Sequence, residues 1–212
     1  MGDPRAGMLD FCCYLGASYL RAGMKVVFVE TNMGLRHVRS QMAEFGAMAH
    51  EHEADGSLVM VDCYTPPDAV VHDEHELILS DRTSLDEILA KVNEAIYSVG
   101  GVSVRVLFDS MTPIFMTHEQ EEVSDFFKDL VSMVKLNGVL TCTAHQDILN
   151  PEQISLLSSS ADGILEMKTD EGFKRFVRIR RMKGVEVSSK WVPFDFARGD
   201  ENQGAFLSWK RS

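Results

Sequence analysis

The sequence predicts an α/β fold: a mostly parallel, twisted sheet flanked by helices, with an antiparallel edge at its C-terminal end. Three observations carry this expectation. Short β-branched runs alternate with helical patterns over residues 1–160, the order that builds parallel sheets. One run, Val102–Phe115 (VSVRVLFDSMTPIF), is largely apolar on both alternating sets, Val104, Val106 and Phe108 against Arg105, Leu107 and Asp109. That is the mark of a strand covered on both faces. From about residue 161 the helical pattern gives way to successive strand-like runs. The 212 residues therefore read as one domain, 1–160 forming the α/β core and 161–212 its β-rich C-terminal part.

In chain order, Gly2–Leu9 (GDPRAGML) leads directly into a helix over Leu9–Arg21, with Phe11, Leu15 and Tyr19 at helical spacing and Gly23 at its end. Lys25–Glu30 (KVVFVE) is a buried strand, and Leu35–Phe45 a helix with Leu35, Val38, Met42 and Phe45 on one side. Ser57–Cys63 is a strand ended by Tyr64-Thr-Pro-Pro, and residues 64–83 form a polar, irregular surface excursion. Ser84-Leu-Asp-Glu87 is a capping box that opens a helix carrying Leu85, Ile88, Leu89, Val92 and Ile96. The Val102 strand ends in Asp109-Ser110 and a proline-marked turn. Glu119–Leu136 is an amphipathic helix with Val123, Phe126, Phe127, Leu130, Met133 and Val134 as its stripe; Val139–Ala144 is a buried strand; Asn150 caps a short helix to about Ser159. Asp162–Lys168, Phe173–Met182, Lys190–Phe196 and Ala205–Trp209 complete the chain as strands.

Composition narrows the function classes. Hydrophobic residues at 45% and charged residues at 25% are ordinary for a globular protein. The formal charge of −11 argues against non-specific nucleic-acid binding, which needs a basic surface. No apolar run approaches a membrane span and no secretory signal precedes the fold, so a cytoplasmic location is expected. Cys12, Cys13, Cys63 and Cys142 show neither metal nor disulfide spacing; Cys63 and Cys142 lie in apolar runs and read as buried thiols.

Asp109, at the carboxyl end of a buried parallel strand, sits where such sheets bind ligands. Gly2-x-x-x-x-Gly7 before a helix has the outline of a phosphate-binding loop, G-x-x-x-x-G-K-[ST], whose amides cradle phosphates. Met8 and Leu9 stand where that motif has its Lys and its hydroxyl. Alone, two glycines five apart are an ordinary turn before a helix.

Taken together, four stretches resemble the RecA superfamily, and within it the KaiC-like proteins, the archaellum-motor homologue included. They are GDPRAGML as a worn P-loop; VVFVETNMGLRHVRSQMAEFG as the strand, acidic turn and helix ending in Met-x-x-Phe-Gly; RVLFDSMTPIF as the Walker B strand; and ADGILEMKTDEGFKRFVRIRRMKG…KWVPFDF as the strand-rich tail. The resemblance implies a RecA-like sheet, ATP and Mg²⁺ as ligands, and a ring-forming or partner-bound protein. By it, Gly2, Asp3, Pro4, Arg5, Ala6, Gly7, Met8 and Leu9 line the phosphates, Asp109 and Ser110 hold the Mg²⁺ side, His145 and Gln146 sense the γ-phosphate, and Arg181 and Lys183 reach the nucleotide of a neighbouring subunit. An ungapped match puts Asn32 and Met33 at the position of the family's general base, and neither can act as one; Glu30 falls two residues short.

The departures define the expected function. Without the loop Lys, its hydroxyl and the base, hydrolysis should be slow or absent, while backbone amides and a helix dipole still hold an anion. The expectation is a KaiC-like, ATP-binding-type regulatory or assembly protein; the alternative is a nucleotide-independent scaffold. The family's P-loop strand is not found ahead of Gly2, so the true start lies upstream, or the sheet closes the gap another way, or the chain is a divergent remnant; a truncated or misassigned start is the expectation favoured here. Bland readings stand beside the rest: Arg178, Arg180, Arg181 and Lys183 also suit a charge-guarded strand edge, and His50, His52, His72 and His75 suit solvated acidic loops better than a metal site.

Overall fold

The structure, a computed structural model, describes residues 1–3, 5–68, 76–79, 81, 83–197 and 206–209. Nine strands and seven helices are found among them. The order is α1 (Met8–Arg21), β1 (Val26–Glu30), α2 (Leu35–Glu44), α3 (Ala49–Ala54), β2 (Leu58–Asp62), β3 (Glu76–Ile78), α4 (Leu85–Ser98), β4 (Val104–Asp109), α5 (Met111–Thr117), α6 (Gln120–Asn137), β5 (Gly138–Cys142), α7 (Pro151–Ser160), β6 (Gly163–Thr169), β7 (Arg175–Met182), β8 (Val192–Ala197) and β9 (Phe206–Trp209). Strands β3-β2-β1-β4-β5 form a parallel sheet. Strands β6-β7-β8-β9 form a second, antiparallel one.

The period-two alternation of the central strands decides which helix covers which face. Val27, Val29, Val61, Val106 and Phe108 point to a core closed by α4 and α6 through Ile88, Val92, Ile96, Val123, Phe126 and Leu130. Val26, Phe28, Leu58, Met60 and Leu107 point the other way, to Cys12, Cys13, Ala17, Leu35, Val38 and Met42 on α1 and α2. Phe28 and Phe108 are fully buried; removing an aromatic ring of that kind from water contributes on the order of 2–3 kcal/mol. The stripe of α1 is rotated from the expected one: Cys12, Cys13, Gly16, Ala17 and Leu20 face inward while Phe11, Leu15 and Tyr19 flank them. Small residues win that face because α1 lies close to the sheet; a Cβ on Gly16 would stand 3.2 Å from Leu107 and 3.3 Å from Met42.

Three local expectations are corrected. Met111–Thr117 is a helix, not merely a proline-marked turn: Ser110 caps it by accepting from the Thr112 amide, and Pro113 falls in the first turn, where its missing N–H costs nothing. Within residues 64–83, Glu76–Ile78 pairs with Met60–Asp62 as an edge strand, and Leu79 is fully buried. Glu87 does not complete a capping box. Ser84 accepts from the Glu87 amide, but the Glu87 carboxylate accepts from the Asp81 amide at 2.8 Å. The Asn150 capping box forms as expected, with Gln153 as its reciprocal partner.

The expected antiparallel edge is a sheet of its own, and Gly2 stands between it and the parallel one. Gly2 bridges His145 on one side and Met167 on the other, both in parallel sense. Its amide donates to Ala144 O, its carbonyl accepts from the Gln146 amide, and the Asp3 amide donates to Met167 O. Residues 1–3 thus stand between the two sheets at one end of the gap. Cys63 is buried, whereas Cys142 is only half-buried, because it borders that gap.

Candidate functional site: a carboxylate pair beside a glycine loop

Parallel pairing in register brings the carboxyl ends of β2, β1 and β4 together, so that Glu30 stands opposite Asp62 on one side and Asp109 on the other. All three are buried. Asp62 Oδ1 accepts from the Tyr64 and Thr65 amides at 2.8 and 2.7 Å, closing its turn. Glu30 Oε1 does the same for the Asn32 and Met33 amides at 2.7 and 3.2 Å. Its other oxygen, Oε2, is buried without a hydrogen-bond partner among the described residues. Burial, and next the Asp109 charge, push the Glu30 carboxyl up to about 9. Asp109 is raised as well, by burial, against the lowering effect of the Thr143 hydroxyl that donates to it.

A web of hydroxyls fixes this corner. Thr31 donates its amide to Asp109 O at 2.8 Å. Its Oγ1 accepts from the Ser110 amide at 2.9 Å and donates to Ser110 O at 2.8 Å. The Asp109–Ser110 peptide is cis. Thr112 Oγ1 accepts from the His145 amide at 2.9 Å, tying the corner to the strand that Gly2 bridges. His145 is half-buried, and burial lowers its pKa below the usual histidine value; its Nδ1 is buried without a partner among the described residues. Gln146 touches the loop through its amide.

The loop itself is a tight turn. Ala6 N donates to Asp3 O at 2.9 Å, and the Asp3 carboxylate accepts from the Arg5 amide and the Thr169 hydroxyl, each at 2.7 Å. Those bonds hold Asp3 below the usual carboxylate range, the Arg5 amide most of all. Gly7 enters α1 in the left-handed region at φ 79°, where a side chain would be strained, and caps the helix without a side-chain hydrogen bond. Pro4 lies outside the described residues. Met8 is 4% exposed and packs with Ala6 against Met167, Val177 and Phe194, so the place of the loop lysine belongs to the core. Leu9 packs at the edge of the cluster under α1. Arg5 is exposed; the cation nearest Gly7 is Arg175 of β7, whose Nε stands 3.3 Å from where a Gly7 Cβ would be. Arg175 pairs with Asp10 in the first turn of α1 at 3.2 Å and lies over the Phe196 ring.

The remaining sequence candidates are elsewhere. Asn32 and Met33 follow β1 in a bend and meet the Glu30 carboxylate only through their amides. Arg181 and Lys183 lie at the Gly163 end of the β6–β7 pair, whereas Gly2 meets that sheet at Met167. About four residues of strand, or ~13 Å, separate the two places. Within its own chain Arg181 donates to Ser158 O and Ala161 O at the end of α7, and Lys183 lies 3.5 Å from Asp162. Arg178 and Arg180 clamp the buried Glu166, and Arg178 stacks on Trp191. His50 and His52 sit on α3 rather than in a loop, and no cluster of three or more metal-ligating side chains occurs among the described residues; His72 and His75 fall outside them. The sequence reading set Glu30 aside as two residues short of the base position and did not single out Thr31, Thr143 or Arg175. The signal for Glu30 was present, since KVVFVE ends in an acid just as VRVLFD does, and parallel strands align their ends.

Glycine loop, helix, and acids at the carboxyl edge of a parallel sheet define the class: an α/β protein of the P-loop type. The sequence model of the family described as "ATPase: KaiC" matches residues 11–200, and the chain belongs to that family. It is 26% identical over 206 residues to the UPF0273 protein PF1931 of Pyrococcus furiosus, covering 92% of this chain and 79% of that one. A UPF0273 protein of Aeropyrum pernix is similar at 26% over 209 residues, with the same coverage. Among solved structures, the KaiC-like protein PH0186 of Pyrococcus horikoshii superposes with a TM-score of 0.69 at 22% identity, over 98% of this chain and 87% of that one, a likeness of fold. No helix among the described residues is long and apolar enough to cross a membrane.

Proposed function

We propose that this KaiC-family chain binds a Mg²⁺-nucleoside triphosphate, ATP in keeping with its family, hydrolyses it little or not at all, and serves as a regulatory or assembly subunit of a ring or partner complex. The observation that carries the reading is the Glu30–Asp109 pair: two buried carboxylates in register, one with an oxygen that has no partner among the described residues. Two such groups repel unless a proton or a cation lies between them. All-oxygen donors of this kind suit Mg²⁺, which Glu30 and Asp109 would hold and which would offset phosphate charge there. The phosphates would meet the uncapped first turn of α1, with Gly7 allowing close approach and Arg175 at its side. His145 and Gln146 border the same corner. Weak turnover follows from Met8 and Leu9, which offer neither charge nor hydroxyl to a leaving phosphate, and from Asn32 and Met33, neither of which can act as a base. In a ring, Arg181 and Lys183 would reach a neighbour's nucleotide only by releasing Ser158, Ala161 and Asp162.

A second reading, a scaffold that needs no nucleotide, is favoured by the Asp10–Arg175 pair closing the loop mouth. Titration with a fluorescent ATP analogue, with and without Mg²⁺, separates the two. Mg²⁺-dependent saturation that Asp109→Asn abolishes supports the first, and no binding at millimolar nucleotide leaves the scaffold.

A further inference from the structure

Met8 gives the glycine loop no cation, but one stands beside the loop on another element. Arg175, the first residue of β7, lays its guanidinium over Gly7: a Cβ on Gly7 would lie 3.2 Å from Arg175 Cζ and 3.3 Å from its Nε. The same Cβ would lie 2.9 Å from Asp10 Oδ2, so the room that Gly7 leaves is taken by one cation and one carboxylate. The cation is held in place. Its Nη2 donates to Asp10 Oδ2 at 3.2 Å, its Nη1 lies 3.8 Å from Asp195 Oδ1, and its Cζ stands 5.4 Å from the centre of the Phe196 ring. The loop's own cation is not held in this way: the Arg5 side chain is 70% exposed, against 29% for Arg175. Asp10 lies in the first turn of α1, where Gly7 caps without a side-chain hydrogen bond and the helix dipole favours negative charge. A phosphate oxygen in that place would find the same helix end and the same guanidinium. Glu30 Oε2, buried and without a partner among the described residues, points to a ligand in this corner by a separate observation. Burial first, then the charges of Asp109, Glu30 and Asp10, raise the Cys13 thiol of α1, so the carboxylate pair and Asp10 act on one side chain.

We propose that Arg175 is the phosphate-binding cation of this chain and that Asp10 is its latch. In the unliganded protein the Asp10 carboxylate holds the guanidinium; the phosphates of a nucleotide displace that carboxylate and take the guanidinium themselves. A planar guanidinium suits two oxygens of one phosphate, and a polyphosphate brings more negative charge to it than one carboxylate does. The exchange replaces one ion pair by another and moves no proton. Stacking on Phe196 keeps the fork beside the loop when Asp10 lets go, because a strand rather than a loop carries it. The assignment rests on the nucleotide reading above, with Asp109 on the metal side and Arg175 on the phosphate side.

The test titrates the intact protein with a fluorescent ATP analogue in saturating Mg²⁺. Arg175→Gln and Asp10→Asn break the same ion pair, so a merely structural bridge would move both affinities the same way. The latch predicts opposite signs: about tenfold weaker binding in Arg175→Gln and about tenfold tighter binding in Asp10→Asn. Asp125→Asn, which removes an exposed acid of α6, should bind as the parent does. Asp109→Asn, run alongside, reports on the nucleotide reading itself. If the parent binds through Asp109 while the two loop variants move together or not at all, the latch is wrong and the nucleotide reading stands. Equal tightening in Asp125→Asn would also overturn the latch, since net charge alone would account for it. Binding by Asp10→Asn where the parent shows none supports it. If neither the parent nor any variant binds at millimolar nucleotide, the nucleotide reading fails and takes the latch with it. Should Arg175→Gln fail to fold, Asp10→Asn against Asp125→Asn decides alone.

Discussion

Replacing Glu30 with Gln should stabilise the protein at neutral pH, and the size of the gain follows from the carboxyl's surroundings. Glu30 is fully buried, and its pKa is raised from 4.5 to about 9 by desolvation first and the Asp109 charge second. An acid whose folded pKa is raised binds its proton more tightly folded than unfolded. Its presence therefore costs nothing below the unfolded value, and stability falls as pH rises from about 4.5 toward about 9. At pH 7 about 2.5 pH units of that window have been crossed, at ~1.4 kcal/mol each, or about 3–4 kcal/mol. Gln keeps the carbonyl that Asn32 and Met33 need but places an amide where Oε2 has no partner, which costs back about 1–2 kcal/mol. The net expectation is a gain of about 2 kcal/mol at pH 7, growing toward pH 8.5, vanishing near about pH 5.5 and turning into a loss of about 1–2 kcal/mol near pH 4.5. Urea unfolding of both proteins at pH 5, 7 and 8.5 measures it. Asp109, also raised, leaves a slope of the same sign in both, so the difference between the two profiles is the quantity read. If Glu30→Gln tracks the parent at every pH, or loses stability as pH rises, Glu30 is not a buried acid held neutral by its surroundings. Saturating Mg²⁺-nucleotide should cancel the advantage of the Gln variant, because the cation takes the place of the proton.

Two further substitutions probe the supports of the site and core. Thr143→Val removes the only side-chain donor to Asp109 among the described residues; a buried carboxylate deprived of it should cost about 1–3 kcal/mol in chemical unfolding, and weaken Mg²⁺-nucleotide binding along with it. Arg39→Ala strands the buried Glu53, which Arg39 holds from Nε and Nη2, and should cost about 3 kcal/mol without altering nucleotide affinity; a loss under 1 kcal/mol would mean that Glu53 finds water instead.

How far the sequence carried depended on whether a feature was local. The Val104–Asp109 strand, the caps at Ser84 and Asn150, and the four tail strands each declare themselves within a few residues, and each stands within a residue or two of its expected place. Pairing is not local. KVVFVE and VRVLFD both end in acids, but only the parallel register sets Glu30 against Asp109, a pairing that motif spacing along the chain does not report. The face of α1 depended on its distance from the sheet, which Gly16 and Ala17 set and apolar periodicity does not report. Arg175 is 168 residues from Gly7 and beside it in space, a contact that no motif spacing encodes. That Gly2 would bridge His145 and Met167, standing between the two sheets, was not legible either.

These placements bear on the proposed function in opposite ways. On the proposed reading the corner offers a cation two carboxylates, Asp109 held by the Thr143 hydroxyl and Glu30 by the Asn32 and Met33 amides, while Met8 and Leu9 stand where the motif would carry a lysine and a hydroxyl. Such a division favours holding a nucleotide over splitting it, because binding draws on backbone amides and metal ligands, whereas hydrolysis needs charge and a base aimed at the transferred group.

The most direct test follows binding and turnover in one sample: equilibrium dialysis of the intact protein against γ-labelled ATP, with and without Mg²⁺, and phosphate release measured from the same chambers. The account predicts saturable, Mg²⁺-dependent retention of intact ATP, lost in Asp109→Asn, with release no faster than in buffer. Release well above buffer, or retention indifferent to both Mg²⁺ and Asp109, would contradict it.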